Sequence, residues 1–414
     1  MPRRDASLPP AVVIGGVYGA LSVIRSLARK GIEVHVLAPV MHSPIVHSRY
    51  PASYTAFHDK QRIQEDWLAW LEESGPRGAA LLPCDDDSLE LIVRNRPRLL
   101  ELGYRPFEAN DEAAIETLDK ARIYELAEGV GVAAPVSIRL REPADLEGAV
   151  ERMVFPCALK PLHSHLFARH YSVKAVIVRD ADDLRRTWEP MHELGLEVIA
   201  TEIVNPESEA CVGYMTFLDE RDEPLFHFTK FKVRQFPIRF GLGSYHVSKW
   251  MPDVAEAGLR FFRGVGVRGL AYIEFKRATD GTPKIVDVNH RFLDSTEVVR
   301  RSGIDVAQIA YDRAVGRPVE APATFRDGVR LWFAVEDTRA GLGNRRTAGL
   351  GGWARSIAGV QHFPVLAWDD PLPSLASAGW YVQRVARRLA RPDGAPDGPR
   401  VLREGEALDD GQRR

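Results

Sequence analysis

The chain has 414 residues, 45% hydrophobic and 27% charged, with a formal net charge of -2 and three cysteines. That length allows two or three domains with cores of their own, and a near-neutral balance without a basic stripe interleaved with aromatics excludes nucleic acid as a partner. Cys84, Cys157 and Cys211 lack metal or redox spacing and no window is apolar for long enough to span a bilayer, so a reducing cytoplasm is the expected setting.

Arg3-Arg4 ahead of the apolar run 11–24 has the look of a twin-arginine export signal. The run continues into Arg25, Arg29 and Lys30 with apolar residues between, then Gly31 and a second apolar run. That is a strand, helix, strand pattern, a Rossmann-like opening with strands at 11–14 and 32–37. A dinucleotide site wants an acid where the second strand ends, and Leu37-Ala38-Pro39 stands there, so Gly15, Gly16 and Gly19 read as room for close helix packing. A helix at 63–71 and a strand at 79–83 follow, then Asp85-Asp86-Asp87-Ser88, which suits a helix start better than catalysis. One helix is expected over 111–126 and a turn over 129–135.

From residue 136 the alternation changes. Strands are expected at 136–140, 155–161, 172–178 and 198–204, with helices at 144–153 and after Asp180. A β-rich stretch from 210 leads to Lys230, Lys232 and Arg234, a loop follows at 237–244, and a helix at 252–264. Two runs of alternating apolar and polar residues then flank Asp280-Gly281, the chemistry of a hairpin turn. Strand alternation puts Asp287, Asn289 and Arg291 on one face, away from Val286 and Val288, with Glu274 across from them. Facing carboxylates need a positive partner. Two readings fit: Mg²⁺ held by Glu274, Asp287 and Asn289, or an exposed hairpin neutralised by Lys276, Arg277 and Lys284. A helix at 306–315 closes this unit. Residues 324–391 carry Trp332, Trp353 and Trp368 and end in a basic amphipathic helix with a solvated face, and residues after 392 have a disordered composition.

Taken in order, these residues resemble an ATP-grasp enzyme. Leu118-Asp119-Lys120 and Ala158-Leu159-Lys160-Pro161 match its two phosphate-contacting lysines, and Lys230 falls among the same nucleotide contacts. Glu202 and Glu209, seven residues apart, match the acids beside the adenine and at the ribose, with Ile203 and Val204 offering backbone groups to the base. Glu274, Asp287 thirteen residues on and Asn289 two beyond reproduce the metal-binding intervals of D-alanine:D-alanine ligases, although Asp287 stands where a longer glutamate is usual. Arg291 resembles the arginine that grips the acyl phosphate, a task suited to a guanidinium fork, and Lys232 is its catalytic companion. Loop 162–171 departs from the pattern: it has no glycine, and His163, His165 and His170 with Arg169 read as a polar lid rather than a zinc site.

The resemblance implies an α/β fold: a flexible segment 1–10, a Rossmann-like domain 11–118, an ATP-grasp domain 119–320, an accessory segment 321–391 and a disordered tail 392–414. It implies ATP and Mg²⁺ (or Mn²⁺) as cofactors, small-molecule carboxylate and amine substrates, and a carboxylate-amine ligase working through an acyl phosphate, nearest the D-aspartate ligase branch, with a homodimer as an option. The rivals are a bicarbonate-activating carboxylase or carbamoyl-phosphate type enzyme, for which no biotin carrier segment or second copy is visible, a non-catalytic ATP-binding regulator, and an NAD oxidoreductase.

Overall fold

A computed structural model describes residues 4–39, 43–162, 175–205, 211–236, 241–343 and 349–379. Glu209, His163, His165, His170, Arg169, residues 1–3 and the chain from 380 onward, with its expected basic helix and tail, lie outside them.

Three sheets carry the fold. Strands β1 (Ala11–Ile14), β2 (Val34–Ala38), β3 (Ser53–Ala56), β4 (Ala80–Pro83) and β5 (Arg105–Pro106) form a parallel sheet in the order β3-β2-β1-β4-β5. Its central strands are buried on both faces and accordingly read as unbroken apolar runs. Helix Tyr18–Arg29 covers it, buried from Gly19 through Ala28. Strands β6 (Ser137–Leu140), β7 (Cys157–Pro161), β8 (Val176–Val178) and β9 (Val198–Glu202) form a small antiparallel sheet, order β6-β9-β7-β8. Strands β10 (Cys211–Leu218), β11 (Phe228–Phe236), β12 (Leu242–Ser248), β13 (Gly269–Arg277), β14 (Pro283–Asn289) and β15 (Arg330–Trp332) form the largest, order β14-β13-β10-β11-β12-β15.

The two faces of this third sheet have different fates. Val212, Tyr214, Ala271, Ile273, Phe275, Ile285 and Val288 point one way, into a core shared with helices Lys120–Gly129 and Pro252–Val265. On the other face Met215, Phe217, Leu270 and Tyr272 join the core of the parallel layer. Two residues further along the same strands that second face turns polar, at Cys211, Gly213, Glu274 and Lys276, within the electrostatic reach of Lys160 on the small sheet.

The expected helix 111–126 is two helices. Asn110 caps Asp111–Glu116, and Asp119 starts Lys120–Gly129 afresh, its Oδ1 accepting from the amides of Ala121 and Arg122. Lys120 therefore stands at a helix N-terminus. Strand β12 starts inside the expected loop 237–244. Helix Val306–Val315 forms as expected but packs on the parallel layer, where Arg105 donates to the Val315 carbonyl and Tyr311 to that of Pro9. Beyond it, β15 completes the edge of the largest sheet. Arg25 and Asp370 form a buried ion pair that ties the last described segment to the parallel layer.

Candidate functional site

The hairpin β13–β14 turns through residues 278–282, with Gly281 at φ +90° and the Ala278 amide donating to the Thr282 carbonyl. Its register sets Glu274 directly opposite Asp287. A bulge beside that pair leaves Val286 without a partner, a departure from strict alternation, while Ile285 and Val288 stay in the core and Asp287 and Asn289 share the polar face. The Asn289 amide donates to Asp287 at 3.2 Å and the Tyr272 hydroxyl to Glu274 at 3.2 Å.

Two of the three cations expected to neutralise this pair are engaged elsewhere, Arg277 with Asp253 and Lys284 with Glu202. Lys232 of β11 donates to Glu274 at 2.7 Å, and Lys120 donates to Asp287 at 3.0 Å. A cation at a helix N-terminus opposes the helix dipole, so Asp287 offsets a local penalty at Lys120 and raises its pKa. Burial pushes Asp287 up, but Lys120 and Asn289 more than offset it and hold the carboxyl below its usual range. Burial likewise works against Lys232, and Glu274 overcomes it.

Gly213 of β10 stands between Glu274 and Lys230 in a cross-sheet row that runs Asp287, Glu274, Gly213, Lys230. A Cβ at Gly213 would overlap the Tyr272 ring, which lies across this position. The ring carries the Lys230 ammonium 4.5 Å from its centroid, and that ammonium donates to the Ser295 hydroxyl. Burial, with Glu274 offsetting only part of it, pushes Lys230 down to about 7. Lys160, on β7 of the facing sheet, is pushed down to about 8 by burial and by Lys120 nearby.

Glu202 ends β9 and closes the cleft from the small sheet. It takes Lys284 of β14 on both oxygens, at 2.9 and 2.8 Å, and accepts from the Val136 amide at 3.1 Å. Val204 is buried and Ile203 half-buried on the segment that follows. At the opposite rim Arg291 donates to Asp86 at 2.5 Å, and Asp86 raises its pKa against the effect of burial. Asp85 caps its helix as expected: it accepts from Ser88 and also from the Gly16 amide at 2.9 Å. Gly15 and Gly16 adopt φ of +73° and +69°, and the space their side chains would take is filled by Asp85 and Cys84, as that of Gly19 is by Leu293. These glycines are packing residues.

The structure thus brings Lys120, Lys160, Lys230, Lys232, Glu202, Glu274, Asp287, Asn289 and Arg291 around one cleft bounded by the three sheets. Sequence reasoning missed the roles of Tyr272, Gly213 and Ser295 and the pairings of Arg291 with Asp86 and of Glu202 with Lys284. Only Gly213, a glycine inside a strand run, carried a local signal of close approach.

The donor set fits a hard divalent cation: two carboxylates opposed across a strand pair and an amide oxygen two residues on, all on one face. Among the described residues no group of three or more His, Cys, Asp or Glu could hold a metal ion, and no helix is long and apolar enough to cross a membrane.

No family model and no curated protein matches the chain. Solved structures do. The biotin carboxylase domain of Hydrogenobacter thermophilus 2-oxoglutarate carboxylase, in complex with MgADP, ADP and bicarbonate, is similar with a TM-score of 0.61 at 15% identity, over 78% of this chain and 73% of that one. N5-carboxyaminoimidazole synthetase from Staphylococcus aureus gives a TM-score of 0.58 at 12% identity over 80% and 83%. L-amino acid ligase from Bacillus licheniformis gives 0.58 at 15% identity over 77% and 76%.

Proposed function

We propose, on the premise that this chain has the ATP-grasp fold which those likenesses show, that it is an ATP-dependent carboxylate-amine ligase with a Rossmann-like first domain. The observation that carries the reading is the Glu274–Asp287 pair, backed by Asn289 and faced by lysines from a helix N-terminus and a second strand. Glu274, Asp287 and Asn289 would hold Mg²⁺, which supplies charge neutralisation on a polyphosphate. Lys120 and Lys160 take the phosphate oxygens. Glu202, with the backbone of Ile203 and Val204, receives the adenine, and Glu209 the ribose hydroxyls.

A substrate carboxylate oxygen attacks the γ-phosphorus, the bond to the β-γ bridging oxygen breaks, and ADP leaves. An amine nitrogen then attacks the acyl carbon, inorganic phosphate departs with the electron pair, and the nitrogen gives up a proton to the medium. Such chemistry needs little covalent help from the protein. Its tasks are alignment and stabilisation of charge on the transferring group, which falls to Lys230, Lys232 and Arg291. The guanidinium of Arg291 must exchange Asp86 for the acyl phosphate.

The test is ADP release from Mg-ATP across a matrix of small carboxylates and amines, with hydroxylamine as a trap. A hydroxamate formed together with ADP supports the ligase. ADP formation that needs bicarbonate and no other acid moves the reading to the carboxylase class.

A further inference from the structure

The last described segment leaves large apolar side chains in water. Trp368 is 92% exposed, and Leu366, Leu372 and Leu375 are exposed close to it in the chain. Helix 372–379 sets its leucines outward: Leu372, Leu375 and Gly379 share the exposed side, while Pro373 is buried and Ser374, Ala376 and Ser377 are half-buried. From that inner side Ser374 donates to the Val365 carbonyl at 3.0 Å. A surface helix of a globular protein ordinarily does the reverse, with leucines in and serines out. A patch of this kind marks an interaction surface.

The patch is held firmly to the parallel layer. Asp370 is buried and takes the Arg25 guanidinium at 2.9 Å, the Ser48 hydroxyl at 2.7 Å and the Arg49 amide at 3.0 Å. Asp369 takes Arg29 on both oxygens, at 2.8 and 2.7 Å. The segment joined in this way adds Val46 and Arg49, both exposed, and among the described residues no carboxylate forms an ion pair with Arg49.

The sequence beyond this helix is basic. From 371 to 392 it has no Asp or Glu, and Arg384, Arg387, Arg388 and Arg391 fall within that span together with Trp380 and Tyr381. At the helical period Val382, Ala386 and Leu389 continue the line of Leu372 and Leu375, and the four arginines take the other side. By sequence alone that pattern describes a solvated helix; the outward leucines of 372–379 point to lipid instead. Leucine and tryptophan on one side with arginine on the other suit the plane of a bilayer interface. A second copy of the chain would set arginine against arginine, so the complementary surface is anionic. We propose that this face docks on an anionic bilayer, with Trp368, Leu372 and Leu375 entering the boundary between headgroups and acyl chains and the arginines after them meeting the lipid phosphates. None of these residues lines the cleft.

The experiment sediments the full chain with sucrose-loaded vesicles of phosphatidylcholine alone, or of phosphatidylcholine and phosphatidylglycerol in equal parts, at low and at high salt. Binding to the anionic vesicles is expected to be tighter than to the neutral ones by about tenfold or more. Joint replacement Trp368→Ser, Leu372→Ser and Leu375→Ser should weaken it by about tenfold or more. Arg384→Gln, Arg387→Gln, Arg388→Gln and Arg391→Gln together should do the same and remove most of the salt dependence. Both variants should keep the wild-type melting temperature, because neither touches a buried side chain among the described residues. Equal sedimentation with the two vesicles, or wild-type sedimentation by either variant, overturns the proposal. So does a wild-type dimer in gel filtration that the serine variant converts to a monomer while no vesicle is bound, since the patch then meets a second copy.

Discussion

Replacing Lys230 by methionine should stabilise the protein at neutral pH while destroying its activity. The side chain keeps its length and loses its charge. Burial lowers this ammonium from an ordinary 10.5 to about 7, so at 1.36 kcal/mol per pH unit the wild type gives up about 5 kcal/mol at pH 7. Methionine forfeits the hydrogen bond to Ser295 and the ring contact with Tyr272, about 1 kcal/mol each, which leaves a net gain of about 3 kcal/mol. The sign follows from proton counting. Between pH 7 and 10.5 the unfolded chain binds the proton and the folded one does not, so wild-type stability climbs with pH and the variant's advantage shrinks. Melting temperatures measured in nucleotide-free and metal-free buffer from pH 6 to 10 should show the variant a few degrees higher at the acid end and level near pH 10. A variant that melts lower than wild type at pH 6 would refute the reasoning, since the ammonium would then be a satisfied structural charge.

Asp287→Asn removes a charge from the proposed metal-binding set and the partner of Lys120, and turnover should fall about 100-fold or more with the melting temperature little changed. Near-normal activity at low magnesium would remove Asp287 from the metal set. Gly213→Ala drives a methyl group into the Tyr272 ring and should cost about 1 to 3 kcal/mol, together with turnover, because that ring positions Glu274 and Lys230. Unchanged urea midpoint and rate would show that the ring has free room. Asp337→Ala strands the buried Arg234, whose guanidinium forms two bonds of 2.7 Å to it, and leaves Ser244 and Trp353 without their acceptor. A loss of about 3 to 5 kcal/mol in urea denaturation is expected, and a loss under about 1 would mean that the network is dispensable.

The facing of Glu274 and Asp287 was legible in outline because a hairpin converts a sequence interval into a cross-strand pair. Asp280-Gly281 marks the turn, and the bulge at Val286, which the sequence does not announce, is what brings Asp287 rather than Val286 opposite Glu274. The parallel layer was legible for a similar reason, since strands buried on both faces have to be apolar throughout. Partners from distant elements were not legible. Nothing local says that Glu274 will be held by Lys232, two strands away, or that Arg291 will reach Asp86 across more than two hundred residues. The helix break at Asp119 failed for a different reason: the apolar period runs on through residues 117–119, and the capping aspartate interrupts it without a glycine or proline to mark the stop. Lys120 owes its place in the cleft to that break.

The pairing of charges in the cleft has a thermodynamic consequence for how its ligands enter. The described cleft is nearly self-neutralised, with Lys232 on Glu274, Lys120 on Asp287, Lys284 on Glu202 and Asp86 on Arg291. A divalent cation arriving alone must take Glu274 and Asp287 from their lysines and leave two ammonium groups, Lys232 buried and Lys120 half-buried, without anions. A nucleotide arriving alone must draw those lysines to its phosphates and leave two facing carboxylates bare. Each ligand thus removes the penalty the other creates, because the metal accepts the carboxylates just as the phosphates accept the lysines. Binding of metal and nucleotide should therefore be positively coupled by about 1 to 3 kcal/mol, and reciprocally so. Calorimetric titration of ADP with and without Mg²⁺ gives one arm of the cycle, and titration of Mg²⁺ with and without ADP gives the other. In Glu274→Gln the coupling should shrink, since Lys232 no longer has to be displaced from a charge. Independent binding in the wild type, with each affinity unchanged by the other ligand, would show that the ion pairs survive occupancy and that the carboxylates hold no metal.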